Sequence, residues 1–159
     1  MVFYIICHCT LDRRFIREEY NQVINDLWKH RQGKRGLEIY GWCIMASHVH
    51  MIIGSRKDKL EDIVRDTKKH KSSELKTAIK NNSQESRKEW MLWMMERAGT
   101  KNINNKDWQF GNSINKPLEI KSQQMFDEKI NYIHQNPVQA GFLTREEDWK
   151  YSSARDFAR

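Results

Sequence analysis

Residues 37–54 read LEIYGWCIMASHVHMIIG. Two runs rich in Ile, Tyr, Trp, Val and Met flank the small polar Ser47. Such runs, separated by a turn residue, predict a β-hairpin with strands over Leu37–Ala46 and His48–Gly54. Strand side chains alternate between faces. His48 and His50 therefore share one face, while Val49, Met51 and Ile53 enter the core from the other.

Working outward, Tyr20, Val23, Ile24, Leu27 and Trp28 recur at helical spacing and predict an amphipathic helix over about residues 17–32, stopped by Gly33 and Gly36. Val2–Thr10, rich in Phe, Tyr, Ile and Cys, predicts a strand, joined to that helix by the basic stretch LDRRFI. After the hairpin, Leu60, Ile63, Val64, Leu75, Ala78 and Ile79 predict a helix over 58–80, broken near Ser72-Ser73. A polar connection (81–89) leads to a short helix around Trp90, Trp93, Met94 and Arg97, then a loop over 98–107. Trp108–Phe110 and Leu118–Ile120 are strand-like. Ser122 can cap a last helix running to about Asn136, where Pro137 lacks an N–H and prevents unchanged continuation.

The order β-α-β-β-α, then an irregular insertion, a weak strand and a final helix, predicts an α+β class. The expected form is a ferredoxin-like (RRM-like) antiparallel sheet with helices packed on one face, which can leave the other face for a substrate. At 159 residues the whole chain, 1–159, is expected to form one domain.

Lys plus Arg number 28 against 21 acids, a formal charge of +7. A small basic domain suits a polyanion such as nucleic acid. Two prolines and seven glycines rule out collagen-like or Pro/Gly-rich disordered composition, and six tryptophans argue against a disordered basic tail. No apolar run nears the ~20 residues of a membrane helix, so no membrane partner is expected. The beginning MVFYIICHCT has neither the basic region nor the cleavage site of a secretory leader. Three cysteines argue against a disulfide framework, and a reducing, cytoplasmic setting is expected.

Four constellations carry possible chemistry. His48 and His50 are either a pair of metal ligands or two surface histidines. Tyr132 and Asn136, four apart, share a helix face. They offer a nucleophile and a metal ligand, but taken by themselves they read better as a core-edge tyrosine and a turn device before Pro137. Cys7 and Cys9 share a strand and Cys43 is on the next in sequence; without zinc-site spacing they read better as small buried hydrophobes than as part of a zinc site. Finally, Arg13, Arg14, Arg56, Lys57, Lys68, Lys69 and Lys71, with aromatic neighbours, suit single-stranded nucleic acid or form an ordinary solvated face. Residues 56–80 hold nine basic against five acidic side chains.

Taken together these segments resemble a known family. MASHVHMII (45–53) looks like the His-hydrophobe-His strand of the single-tyrosine HUH transposases, the insertion-sequence transposase A type. DEKINYIHQNPVQAGFLTREEDWKYSSA (127–154) resembles the C-terminal block of their REP-associated branch. The resemblance runs from Val2 to Ala154; the short HVH motif is unspecific, the long C-terminal block specific. It implies a metal-dependent single-stranded DNA endonuclease and strand-transferase for transposition, acting at hairpin-containing repeat DNA. Carried over, Tyr132 is the nucleophile that forms a 5′-phosphotyrosine link, and His48, His50 and Asn136 bind Mg²⁺ or Mn²⁺. Arg13, Arg14, Lys68, Lys69 and Lys71 are the expected DNA contacts. Resemblance to the wider family implies a homodimer, while the REP-associated branch leaves a monomer equally open. Two other functions remain open from sequence: a domesticated relative that binds nucleic acid without cutting, and a small zinc protein.

Overall fold

The computed structural model describes residues 1–8, 18–100 and 117–158, excepting the side chains of residues 7, 8, 18, 68, 69, 71, 72 and 100. The elements are β1 (Val2–His8), α1 (Glu18–Arg35), β2 (Leu37–Ile44), β3 (His48–Ser55), α2 (Leu60–Asn81), α3 (Lys88–Thr100), β4 (Leu118–Ile120), α4 (Gln123–Gln139), a 3₁₀ turn (Glu146–Asp148) and α5 (Ala154–Phe157). The strands form one sheet in the order β2-β3-β1-β4. Every neighbouring pair is antiparallel, which is the ferredoxin-like arrangement.

The hairpin forms where its pattern places it. The Met45 N–H donates to the His48 carbonyl at 2.8 Å and closes the turn. Register pairs Trp42 with Met51 and Cys43 with His50. Ile5, Ile44, Val49, Met51 and Ile53 therefore face one way. They pack with Tyr20, Ile24 and Trp28 of α1, Ile63, Leu75 and Ile79 of α2, and Met91 and Met95 of α3. The opposite face is not left open. Tyr4, Cys43 and Ile52 pack there beneath Ile130 and Ile133 of α4.

Four local expectations change. Gly33 lies inside α1, and the helix stops only before Gly36, whose φ of +70° supplies the left-handed turn. No break occurs at Ser72-Ser73: α2 is continuous, with Leu75 and Ile79 fully buried, and Thr77 bonds back to the Ser73 carbonyl at 3.1 Å. In α3 the core positions are Met91 and Met95, while Trp90 and Trp93 are exposed. Pro137 sits within α4 rather than after it. A proline removes one helical bond, but here only about one turn remains before the end. That end is a Schellman closure: Gly141, at φ +75°, donates to Val138, and the Phe142 N–H reaches the Pro137 carbonyl at 3.0 Å. Ser122 caps the other end as expected, accepting from the Met125 N–H at 3.1 Å. Asn136 is thus an interior helical residue and not a cap.

The seat of α4 is shaped by Gly41, beside a β-bulge in β2. A Cβ at Gly41 would run into the terminal methyl of Ile130. Gly41→Val is therefore expected to overpack this contact and to lower stability by about 1–3 kcal/mol, measured by denaturant unfolding. Gly41→Val combined with Ile130→Ala should recover part of the loss.

The exposed edge of β2 is covered by residues 149–153. Ile44 N–H donates to the Tyr151 carbonyl at 2.8 Å, Ser153 N–H to the Trp42 carbonyl at 3.0 Å, and Trp149 Nε1 to the Ile44 carbonyl at 3.0 Å. Pairing an edge in this way removes a template for unwanted strand addition. Ser153 Oγ accepts from the Trp42 N–H at 2.9 Å and donates to the Trp42 carbonyl at 3.2 Å. Its remaining contact, 2.9 Å from His134 Nε2, then takes that nitrogen as the donor.

Burial holds the His134 pKa below its ordinary value, and Asp156 only partly restores it. Between the lowered value and the unfolded value near 6.5, the unfolded chain binds a proton that the folded chain does not. This contribution to stability is full above that window and is lost as pH falls through it. Thermal unfolding should accordingly shift down between pH ~7.5 and pH ~5.5. His134→Gln should flatten the dependence, and an unchanged slope in that variant would remove His134 as its source.

Candidate functional site

The face under α4 gathers three of the expected side chains. β3 alternation puts His48 and His50 side by side, ring centroids 4.5 Å apart and nearly perpendicular. His48 is half-buried and His50 is 2% exposed. α4 brings Tyr132 over them. Ile130 and Ile133 anchor the helix in the core, and Tyr132 on the same helix stays partly open beside them. The Tyr132 ring lies 5.6 Å from the His50 ring, edge to face, yet 44% of the residue is exposed.

Asn136 follows one turn later on the same helix. Its Nδ2 donates to the Tyr132 carbonyl at 2.6 Å. That bond commits the amide nitrogen and makes Oδ1 the acceptor end of the side chain. Among the described residues no hydrogen bond or ring contact joins Asn136 to either imidazole, so of the three expected ligands only the two histidines touch one another.

Two residues in this site escaped the sequence reading. Tyr4 of β1 is buried, and its hydroxyl lies 2.8 Å from His50 Nδ1. Burial, and then the charge of Tyr132, raise the Tyr4 pKa well above the ordinary phenol value, so Tyr4 stays a neutral phenol. The Lys129 ammonium lies 5.3 Å above the Tyr4 ring and 5.8 Å from the centre of the Tyr132 ring. Lys129 precedes Tyr132 by three, a same-face spacing that could have flagged it. Tyr4 carried no comparable signal, because its pairing depends on strand register.

The donor chemistry suits a divalent cation. Ser47 Oγ lies 2.9 Å from His48 Nδ1, and Tyr4 Oη holds His50 Nδ1. Each imidazole is thus oriented through the same nitrogen, the arrangement commonly found behind histidine ligands. Nε2 of each ring is the atom that a cation would take, with Asn136 Oδ1, on α4 one turn after Tyr132, as the expected oxygen donor. Among the described residues no group of three His, Cys, Asp or Glu side chains forms a metal cage. Cys43 is a free, fully buried thiol whose pKa burial pushes up to about 12 against a lowering bond from Ser152. It is a small core residue, as the spacing suggested. The Cys7 side chain and Cys9 lie outside the described residues, as do Arg13, Arg14 and the side chains of Lys68, Lys69 and Lys71.

A separate cleft of about 330 Å³ is lined by Asp127, Asn131, His134, Glu146 and Phe157, among others. It uses a face of α4 that does not include Tyr132. No helix among the described residues is long and apolar enough to cross a membrane.

No curated protein matches the sequence. Among solved structures, the chain is similar in fold to a REP-associated tyrosine transposase bound to a REP hairpin, with a TM-score of 0.66 at 19% identity over 99% of this chain and 79% of that one. It is also similar to a protein described as a transposase of Deinococcus radiodurans R1, with a TM-score of 0.51 at 15% identity, covering 84% of this chain and 88% of that one. The family model for IS200-like transposases matches residues 1–96. That stretch carries β1, the hairpin and both histidines and stops short of Tyr132, and on it the chain belongs to the IS200-like transposase family.

Proposed function

We propose that this transposase-family protein is a single-stranded DNA endonuclease and strand-transferase that cuts through a covalent phosphotyrosine. The observation that carries the reading is an exposed tyrosine on a well-anchored helix, its ring 5.6 Å from one of two adjacent histidines on the sheet beneath. A structural tyrosine has no need of that exposure beside paired imidazoles.

Tyr132 Oη attacks the phosphorus of a phosphodiester. The phenol gives up its proton, a new O–P bond forms, and the bond to the 3′ oxygen breaks. The departing 3′ oxygen takes a proton and becomes a hydroxyl, while the 5′ phosphate remains on Tyr132. Attack by the 3′-OH of another strand reverses these bond changes and completes transfer. An unperturbed phenol is a weak nucleophile at neutral pH. His48, His50 and Asn136 would hold Mg²⁺ or Mn²⁺. A divalent cation in this place supplies positive charge to the phosphate and eases attack. Lys129 adds a further positive charge beside the Tyr132 ring.

The substrate we infer is single-stranded DNA with a hairpin, supported by the solved relative of the same fold that carries a REP hairpin. Arg13, Arg14, Lys68, Lys69 and Lys71 are proposed phosphate contacts, in keeping with the +7 charge. The test is incubation of the protein with hairpin-containing single-stranded DNA labelled at its 3′ end and Mn²⁺, followed by a denaturing gel. A labelled, protein-linked band is expected. Binding without cutting under these conditions would instead identify a non-catalytic DNA-binding relative.

A further inference from the structure

His50 is held by a partner that lies two strand positions away from its direct neighbour. Register places Ile6 opposite His50 and Tyr4 opposite Ile52. Tyr4 therefore reaches His50 along the diagonal of the β1–β3 ladder, a distance that a long aromatic side chain spans. The two rings are nearly parallel, 9° apart with centroids at 6.0 Å, and the hydroxyl meets Nδ1 at 2.8 Å. Both residues are buried, so water competes poorly for this bond.

We propose that Tyr4 is a positioning residue for the candidate cation site, fixing the ring of His50 so that Nε2 is its ligating atom. The proposal rests on the reading of His50 as a ligand. A neutral imidazole has one N–H and one lone pair, and only the lone pair can bind a cation. With Tyr4 Oη against Nδ1, the cation-loaded ring carries its proton on Nδ1 and donates it to the phenol oxygen. Nε2 then presents its lone pair. Ser47 occupies the same place behind His48, so the two rings are oriented by one device built from two different residues. A phenylalanine at position 4 would fill the same space and remove the hydroxyl that holds the proton of His50 on Nδ1.

The experiment compares the wild-type chain with Tyr4→Phe and His50→Ala. Manganese affinity is measured by calorimetry without DNA. The His50 ring nitrogens are followed by NMR of nitrogen-labelled protein during a magnesium titration. Tyr4→Phe is expected to weaken Mn²⁺ binding about tenfold, the lower end of what lost ligand support costs. Its melting temperature should fall by a few degrees, because the buried His50 Nδ1 loses its partner. In the wild type loaded with magnesium, the proton is expected on His50 Nδ1, protected from exchange, and that protection is expected to vanish in Tyr4→Phe. Unchanged Mn²⁺ affinity in Tyr4→Phe alongside a large loss in His50→Ala would overturn the role of Tyr4 alone. Unchanged affinity in His50→Ala would overturn the ligand reading beneath it. A proton found on Nε2 in the loaded wild type would also overturn the proposal, and this readout needs no variant to fold.

Discussion

Tyr132→Phe is expected to fold, bind Mn²⁺ and bind hairpin DNA, yet form no covalent adduct. Phenylalanine keeps the ring and its edge contacts with Tyr4 and His50 and removes only the hydroxyl. Nothing among the described residues hydrogen-bonds that hydroxyl, and the side chain is 44% exposed. The stability cost should stay below about 1 kcal/mol, the usual net worth of one hydrogen bond. Cleavage, by contrast, should fall by more than about a thousandfold, because the attacking atom is gone. A denaturing gel and mass spectrometry of the adduct check both halves. An adduct that survives and maps to Tyr20, Tyr40 or Tyr151 would mean a different nucleophile. Cutting that persists with no adduct would make water the attacking group.

His48→Ala is expected to abolish Mn²⁺-dependent cleavage with little loss of stability, since the ring is only half-buried at the start of β3. His50→Ala should abolish cleavage equally but cost more in folding. It empties a buried position and takes away the partner of the Tyr4 hydroxyl, and a stranded buried polar group costs about 1–3 kcal/mol. DNA affinity should persist in both variants, because phosphate contacts dominate it. A chelator added to the wild type should reproduce the loss, and Mn²⁺ should restore it there but not in the variants. Equal cleavage with and without chelator would sink the cation part of the mechanism, whatever the histidine variants do.

The hairpin was legible because its two signals agree: β-rich runs around Ser47 and a period of two in the side chains. The same period predicted that His48 and His50 share a face, which their 4.5 Å ring separation bears out. The expectation of a ferredoxin-like α+β sheet also holds, and the strand order agrees with it. Helix ends were read less well, for particular reasons. Pro137 forbids one N–H but does not forbid a helix whose next turn is closed by Gly141. Gly33 costs helix stability without ending a helix whose Tyr20, Ile24 and Trp28 are buried against the sheet. In α3 the larger tryptophans drew attention from Met91 and Met95, although flexible methionines fill a core gap well. Tyr4 was out of reach, since only the register of β1 against β3 brings its hydroxyl to His50. The roles of Tyr132, the histidines and Asn136 rested on family resemblance. Their physical spacing alone left two readings standing.

The strap formed by residues 149–153 has a consequence for the order of events in making the protein. Ser153 joins Trp42 across 111 positions of sequence and, on its other side, holds His134 of α4. Closing so long a loop is entropically slow, and a ribosome delivers Ser153 well after the hairpin it clasps. A nascent chain can therefore lay down its histidine-bearing sheet before the tyrosine helix is locked over it. Under the proposed function, the nucleophile's helix is fastened over the histidines only once the strap has been made, and a chain halted before residue 149 would carry the sheet without that clasp.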